Sequence, residues 1–312
     1  MKKNYPFFFL FFVLIINCSC PSTDMTPAYL ILSIENFEGC LDVSNYNNTH
    51  EQQYDQKKLD AIMQQNFTDV CVSLNGSLLG YWPLPCTIPL RPDYTNKNNI
   101  RIIPCVRTPN TTTTTLQYLF VTPIDIEYNT MEREREYRLS NIQVQYVPSV
   151  DFPVLETFEL STDFKPNFPN LFPATIQIIP DEDLNKNIGS IILTDTAVFF
   201  DIVTSYFLLQ GKGQRQFWEI SYKTVNGQMV TILGYENTIT GITHQDMIVL
   251  PSTEGVWKKL YVDITDRIMQ ASNIASQIST CLRITGTRNK TDIASEYYFE
   301  NIKLITMDAP YY

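Results

Sequence analysis

Histidine is almost absent from this chain: there are two in 312 residues, His50 and His244. That leaves little for a His-rich metal site or a Ser-His-Asp triad, and no Gly-x-Ser-x-Gly elbow accompanies either residue. HExxH, Walker, GxGxxG and CxxC patterns are missing too, which removes metalloprotease, nucleotide-binding and thiol-redox readings at the level of local motifs. Basic residues are outnumbered, 23 Lys and Arg against 33 Asp and Glu, for a formal net charge of −10. Nucleic acid is set aside as a partner on that ground, because non-specific affinity for it comes from neutralising phosphates. Seven cysteines are far too few for a cystine-stapled scaffold. What is present is ordinary globular composition, 44% hydrophobic and 18% charged, in a length that suits two domains better than one.

The one long apolar run is at the N-terminus. Lys2 and Lys3 precede an apolar stretch at 7–16, and Asn17-Cys18-Ser19-Cys20 follow. A basic start and about ten apolar residues form the secretory arrangement, too short to span a bilayer of roughly 30 Å. Residues 1–17 are therefore read as a signal peptide. A Cys directly after such a run is the position that bacterial lipoproteins acylate; Cys18 has Ile15 three positions before it, and Cys20 is the rival. In the plainer reading an ordinary leader is cut nearby and both are bystanders. Residues 18–27 then comprise the lipidated Cys and an aperiodic tether. The expectation is an exported protein at the outer membrane, on the cell surface or periplasmic face, anchored to the membrane without spanning it. Losing Lys2 and Lys3 moves the charge from −10 to −12, so the lipid, and not attraction to anionic headgroups, would hold it there.

Period-2 patterning dominates the remainder, most cleanly in Asn141-Ile142-Gln143-Val144-Gln145-Tyr146, and predicts an all-β body. Segments 29–34, 70–74, 77–81, 100–103, 116–121 and 141–147 read as strands of a small β-sandwich over 28–150. Asn75-Gly76 predicts a type I′ hairpin, since both central residues need positive φ. The polar segment 51–65, free of Gly and Pro, places Leu59, Ile62 and Met63 at helical spacing and predicts one short inserted surface helix. Glu132-Arg133-Glu134-Arg135-Glu136 reads as a solvated strand edge, and 111–115 as a hairpin tip. Pro148 and Pro153 interrupt the pattern and mark a boundary. About eight or more strands over 151–312 suit a two-sheet jelly roll, with a helical turn or two within 266–277. A second type I′ hairpin is predicted at Asn226-Gly227, pairing 218–222 with 230–232.

Two stretches are similar to known modules. Phe67-Thr68-Asp69-Val70-Cys71-Val72-Ser73-Leu74-Asn75-Gly76-Ser77-Leu78-Leu79-Gly80-Tyr81-Trp82-Pro83-Leu84-Pro85 resembles the PEGA-like or immunoglobulin-like modules of surface lipoproteins. Trp257-Lys258-Lys259-Leu260-Tyr261-Val262-Asp263-Ile264-Thr265, with Tyr298-Phe299-Glu300-Asn301-Ile302-Lys303-Leu304, resembles the closing strands of galactose-binding-like, carbohydrate-binding-module-type jelly rolls, with Glu300 where an Asp is usual. Together they resemble exported lipoproteins of Bacteroidota type. The resemblance implies an immunoglobulin-like sandwich followed by a jelly roll, and its motifs record packing more than chemistry.

The functional expectation is a non-enzymatic, membrane-anchored lipoprotein that acts as an interaction module, its partner a glycan or another cell-envelope protein. Carbohydrate binding in a glycan-uptake system is the alternative, and a glycoside hydrolase using a carboxylate pair such as Glu219 with Asp263 is the third reading. A sugar would be met by stacking on Trp218 and Tyr222, which share a face with Ile220, and on Tyr235, with Tyr206 near; the competing reading places these rings in the core. Trp257, opening its strand, is read as core. His244 is expected in a loop. No cofactor is expected; a structural Ca²⁺ is conceivable by analogy, but Asp181-Glu182-Asp183 is too unspecific to assign it. At most one disulfide is expected, within Cys71, Cys86 and Cys105.

Overall fold

The computed structural model describes residues 26–37, 41–46, 53–108, 114–139, 142–210, 214–237, 241–250, 252–271, 277–290 and 293–308. Cys18, Cys20, Cys40, His50 and residues 111–113 of the expected tip lie outside them, while Thr114 and Thr115 fall in a strand instead. Among the described residues no helix is long and apolar enough to cross a membrane.

The chain is all-β. Its first part runs through β1 (Ala28–Leu32), β2 (Leu41–Asp42), α1 (Gln56–Met63), β3 (Asp69–Leu74), β4 (Ser77–Pro83), β5 (Cys86–Leu90), β6 (Asn98–Thr108), β7 (Thr114–Gln117), β8 (Ile124–Tyr128), β9 (Glu136–Arg138) and β10 (Val144–Gln145). One sheet is ordered β4-β3-β6-β7, with β8 also on β6; another is β5-β1-β9; β10 pairs with β2. Alternate residues of these strands, Leu30, Val70, Val72, Ile88, Ile100 and Ile102 among them, enter one core. The hairpin at Asn75-Gly76 joins β3 to β4 with φ of +51° and +79°, the left-handed pair the type I′ turn demands.

Two local expectations change. In 142–147 the burial alternates as read, but only Val144 and Gln145 form a ladder, because their partner β2 is itself two residues long. The Glu-Arg run is a turn with Glu134 at φ +60°, and only Glu136 enters a strand, parallel to β1. Arg133 and Arg135 lie over the rings of Tyr94 and Tyr137 at 4.9 and 5.5 Å, so cation–π contact replaces alternation as the ordering force. Helix α1 is the surface helix expected: it begins at an Asp55 cap that accepts the Lys58 N–H at 2.9 Å, exposes Gln56, Lys57, Lys58 and Asp60, and buries Ala61 and Ile62.

The second part runs through β11 (Val150–Glu156), β12 (Lys165–Pro166), β13 (Gln177–Asp181), β14 (Lys186–Leu193), β15 (Phe199–Val203), β16 (Phe207–Gln210), β17 (Gln214–Val225), β18 (Gly227–Asn237), β19 (Gly241–Leu250), β20 (Lys258–Asp263), α2 (Thr265–Ala271), β21 (Gln277–Arg288) and β22 (Ser295–Asp308). Two six-stranded sheets result. The proximal sheet is ordered β13-β14-β22-β17-β20 with β11 also on β22, and the distal sheet β12-β15-β21-β18-β19 with β16 also on β21. Every pairing in them is antiparallel. The hairpin expected at Asn226-Gly227 does not form: β17 belongs to the proximal sheet and β18 to the distal one, so this turn carries the chain between sheets. Only Asn226 has positive φ, +54°. Gly227 answers to space instead, since a Cβ there would lie 2.2 Å from the Tyr297 hydroxyl.

The two sandwiches share a core. Trp218 and Ile220 point between the sheets of the second, while Phe217, on the other face of β17, joins Tyr261, Ile305, Met307 and Phe152 in the core of the first. A strand buried on both faces loses the apolar-polar alternation of a half-wet one. At the centre of the contact lies Glu219, fully buried. Its Oε2 is 3.1 Å from Lys303 Nζ and 3.5 Å from Lys259 Nζ. Tyr118 donates its hydroxyl to the other oxygen, and Gln65 Nε2 donates to Oε2 at 3.1 Å. Both lysines also satisfy carbonyls that the end of α1 leaves open: Lys303 donates to Ile62 at 2.9 Å and to Gln64 at 3.3 Å, and Lys259 donates to Gln64. Tyr146 donates to Ile62 O at 2.9 Å, and Tyr261 to Gln65 Oε1 at 2.9 Å. Burial opposes the charge on Glu219, yet Lys303 and then Lys259 overcome it and hold the carboxyl below its ordinary range. Burial, and after it the neighbouring Lys303, pushes Lys259 down to about 7.

Candidate functional site

The proximal sheet packs on the first sandwich, whose core takes residues of that sheet and, among the described residues, none of the distal sheet, which makes the outer face of the distal sheet the candidate. Side chains on β21 alternate: Leu282 and Ile284 enter the inter-sheet core, so Cys281, Arg283 and Thr285 stand on the outer face. On β15, Phe200 and Ile202 go inward and Asp201, opposite Thr285, goes outward with them.

Asp201 is fully buried although it lies on that face. Arg283 grips it with two parallel bonds, Nε to Oδ1 and Nη2 to Oδ2, both 2.6 Å, and Asn167 Nδ2 adds a third at 3.2 Å. The guanidinium in turn lies 6.0 Å from the centroid of Phe168, whose ring is 48% exposed. On the other side stands Tyr206, 42% exposed and hydrogen-bonded with the Cys281 thiol. Burial, then that thiol, pushes Tyr206 up to about 12. Between the strands Gly234 is buried beneath neighbouring side chains: a Cβ there would meet Cys281 Sγ at 2.5 Å and His244 Nδ1 at 2.9 Å, so the imidazole lies across the strand. His244 belongs to strand β19 and not to a loop. Partial burial and then Arg283 lower its pKa, which leaves a neutral imidazole beside a fixed ion pair near neutral pH.

Of the residues singled out in the sequence, Tyr206 and His244 lie at this face and the others lie elsewhere. Trp218 is fully buried and Tyr222 nearly so, both within the inter-sheet core. Tyr235 is partly buried and packs against the same core. Stacking by Trp218 or Tyr222 is closed to them, because a ring face that meets Phe207 edge-on at 5.9 Å, or lies among Leu and Ile, has none left for a ligand. Trp257 moves the other way: it is half-buried, with Lys223 Nζ 4.9 Å above its ring. Glu219 is sealed between two lysines, and Asp263 accepts the Thr265 N–H at 2.9 Å at the start of α2, so the two are not poised across a common substrate. Among the described residues no group of three or more His, Cys, Asp and Glu side chains could hold a metal ion. Asp201, Arg283 and Phe168 were not singled out, although the sequence carries a signal for the ion pair: Phe200-Asp201-Ile202 and Leu282-Arg283-Ile284 each set one charge between two core residues.

No protein-family profile matches the chain, and no curated protein matches it. Solved structures do superpose on part of it. The xylan-binding domain CBM22-1 of Paenibacillus barcinonensis Xyn10C matches at TM-score 0.38 and 11% identity, covering 52% of this chain and 98% of that one. The CBM22-1 and GH10 modules of Clostridium thermocellum xylanase 10B match at TM-score 0.37 and 11% identity, over 52% of this chain and 29% of that one. CtCBM11 matches at TM-score 0.33 and 14% identity, over 52% and 97%. At these values the likeness carries no functional assignment.

Proposed function

We propose that this protein is a non-catalytic binding module that engages a glycan through the outer face of its distal sheet, and that it is exported and held at a membrane by lipid on Cys18 or Cys20. The carrying observation is Asp201 with Arg283. A buried ion pair gives a fold little net stability over apolar packing, whereas a guanidinium fixed at two points beside exposed rings is a preorganised partner for oxygen-rich ligands. Phe168 and Tyr206 supply apolar faces for C–H groups, and Asn167 and His244 supply polar edges. A second protein of the envelope is the competing occupant. Affinity electrophoresis and glycan arrays with the full chain separate the two. Binding should fall about tenfold or more, some 1.4 kcal/mol, in Phe168→Ala and in Arg283→Lys, which keeps charge but loses the fork. Retention on the array undiminished by both changes would move the site off this face. Labelling with a palmitate analogue should disappear in Cys18→Ser or in Cys20→Ser; labelling that survives in both places the anchor elsewhere.

A further inference from the structure

The remaining chemistry that no described role absorbs is a pair of thiols in the first sandwich. Cys71 on β3 and Cys105 on β6 are both free and buried. Neither enters the core cluster, which takes Val70 and Val72 from β3 and Ile100, Ile102 and Val106 from β6; both stand on the outer face of the sheet. The register sets Cys71 opposite Ile103 and Cys105 opposite Asp69, so the thiols are diagonal neighbours on adjacent strands. Gln117 shows how close they are: it pairs with Cys105, yet its Nε2 reaches over to Cys71 Sγ at 3.2 Å and to the Tyr81 hydroxyl at 3.2 Å. The amide thus reaches across β6 to the Cys71 sulfur, the Cys105 thiol donates to the Ile103 carbonyl at 3.4 Å, and Tyr81 stands opposite Cys71 on β4.

We infer that Cys71 and Cys105 form a two-coordinate site for a soft monovalent metal ion of the copper(I) class. Diagonal strand neighbours lie about 7 to 8 Å apart, beyond the Cα separation that a disulfide spans, whereas an ion placed between two sulfurs lengthens the bridge. The donor set is soft. Asp69, the nearest carboxylate, is already gripped by Arg107 at 2.7 and 3.0 Å, which leaves two sulfurs and no free oxygen anion; thiolates select copper(I) over hard divalent cations. Binding is a metal-for-proton exchange: two S–H bonds break, two S–Cu bonds form, two protons go to solvent and no electron moves. Burial of both sulfurs limits the coordination number by keeping water out, and the Gln117 amide is placed to donate to a thiolate. This site is independent of the glycan-binding reading of the second sandwich.

The test uses the full chain with Cys18, Cys20, Cys40, Cys86 and Cys281 changed to Ser, so that only the pair remains. Copper(I) presented anaerobically as its bicinchoninate complex should transfer one ion per chain, with two sulfur neighbours in copper X-ray absorption and two protons released. Changing Cys71→Ser or Cys105→Ser in that background should weaken binding more than about 100-fold, beyond what loss of an outer-shell partner costs. Gln117→Ala, which leaves both sulfurs in place, should weaken it by roughly tenfold. No transfer to the chain that retains the pair, binding that survives loss of either sulfur, or recovery of the reduced-handled protein with Cys71 and Cys105 joined as a disulfide would each overturn the assignment.

Discussion

Trp218 and Glu219 are adjacent in sequence and belong to different cores, and the second of them sets the electrostatics of the whole contact. Glu219→Gln would leave Lys303 and Lys259 buried without their counter-charge, a loss expected to cost about 3 to 5 kcal/mol. Adding Lys259→Met should return part of it by removing one of the two cations. Denaturant melts of the single and double variants measure both effects, and a double variant no more stable than the single one would show that Lys259 is not held by Glu219. Acidity gives a second handle. Lys259 titrates near 7 in the folded chain against an ordinary value of 10.5, so between these limits the unfolded chain binds more protons and stability rises with pH. The penalty of the buried ammonium is complete below pH 7. Glu219, held below its ordinary range, works in the same direction at lower pH: its contribution is present above about 4.5 and is lost as pH falls. Melting temperature should therefore climb from pH 7 to pH 9 in the native chain, and the climb should flatten in Lys259→Met.

At the scale of elements, the sequence was most legible where one face of a strand is wet. The hairpin at Asn75-Gly76 and the ends of β3 and β4 follow from a dipeptide and two alternating runs, because local turn geometry alone decides them. The same dipeptide at Asn226-Gly227 misled, since a turn between two sheets also begins with a left-handed Asn, and only the Tyr297 hydroxyl, 70 residues on, distinguishes them. Gly227→Ala is accordingly expected to destabilise by roughly 1 to 3 kcal/mol through overpacking, measured as a shift of the unfolding midpoint; an unshifted midpoint would mean that Tyr297 moves aside freely. In β17 the pattern was ambiguous for a different reason. A strand covered on both faces shows near-continuous burial, and nothing in Phe217-Trp218-Glu219-Ile220 tells which ring meets which sandwich. The site suffered from the same limit: aromatic residues were visible, but their exposure depends on which sheet the first sandwich covers, and that is settled by side chains up to 242 positions apart.

At the scale of the molecule, the core shared by strands on both sides of Pro148 to Pro153 is expected to make the two parts unfold together. An excised segment 151–312 would bare Phe217, Tyr261, Ile305 and Met307 and would open the Glu219 cluster to water without its partners on α1. It should bind a hydrophobic dye and melt well below the full chain, which in turn should unfold in one transition seen alike by tyrosine and tryptophan signals. Two separated transitions in the full chain would show that the shared core is dispensable. Glycan binding is therefore to be measured on the full chain, where the distal sheet rests on a complete sandwich.

The clasp of Lys303 on the last turn of α1 also bears on the order in which the chain is made. The carbonyls of Ala61, Ile62 and Gln64 wait for a lysine that is synthesised some 240 residues later. At a translation rate of about 5 to 20 residues per second, that is a delay of roughly 10 to 50 seconds. A chain that emerges N-terminus first thus holds its first sandwich open on one side until the strand that carries Lys303 is delivered, and the seal closes only then.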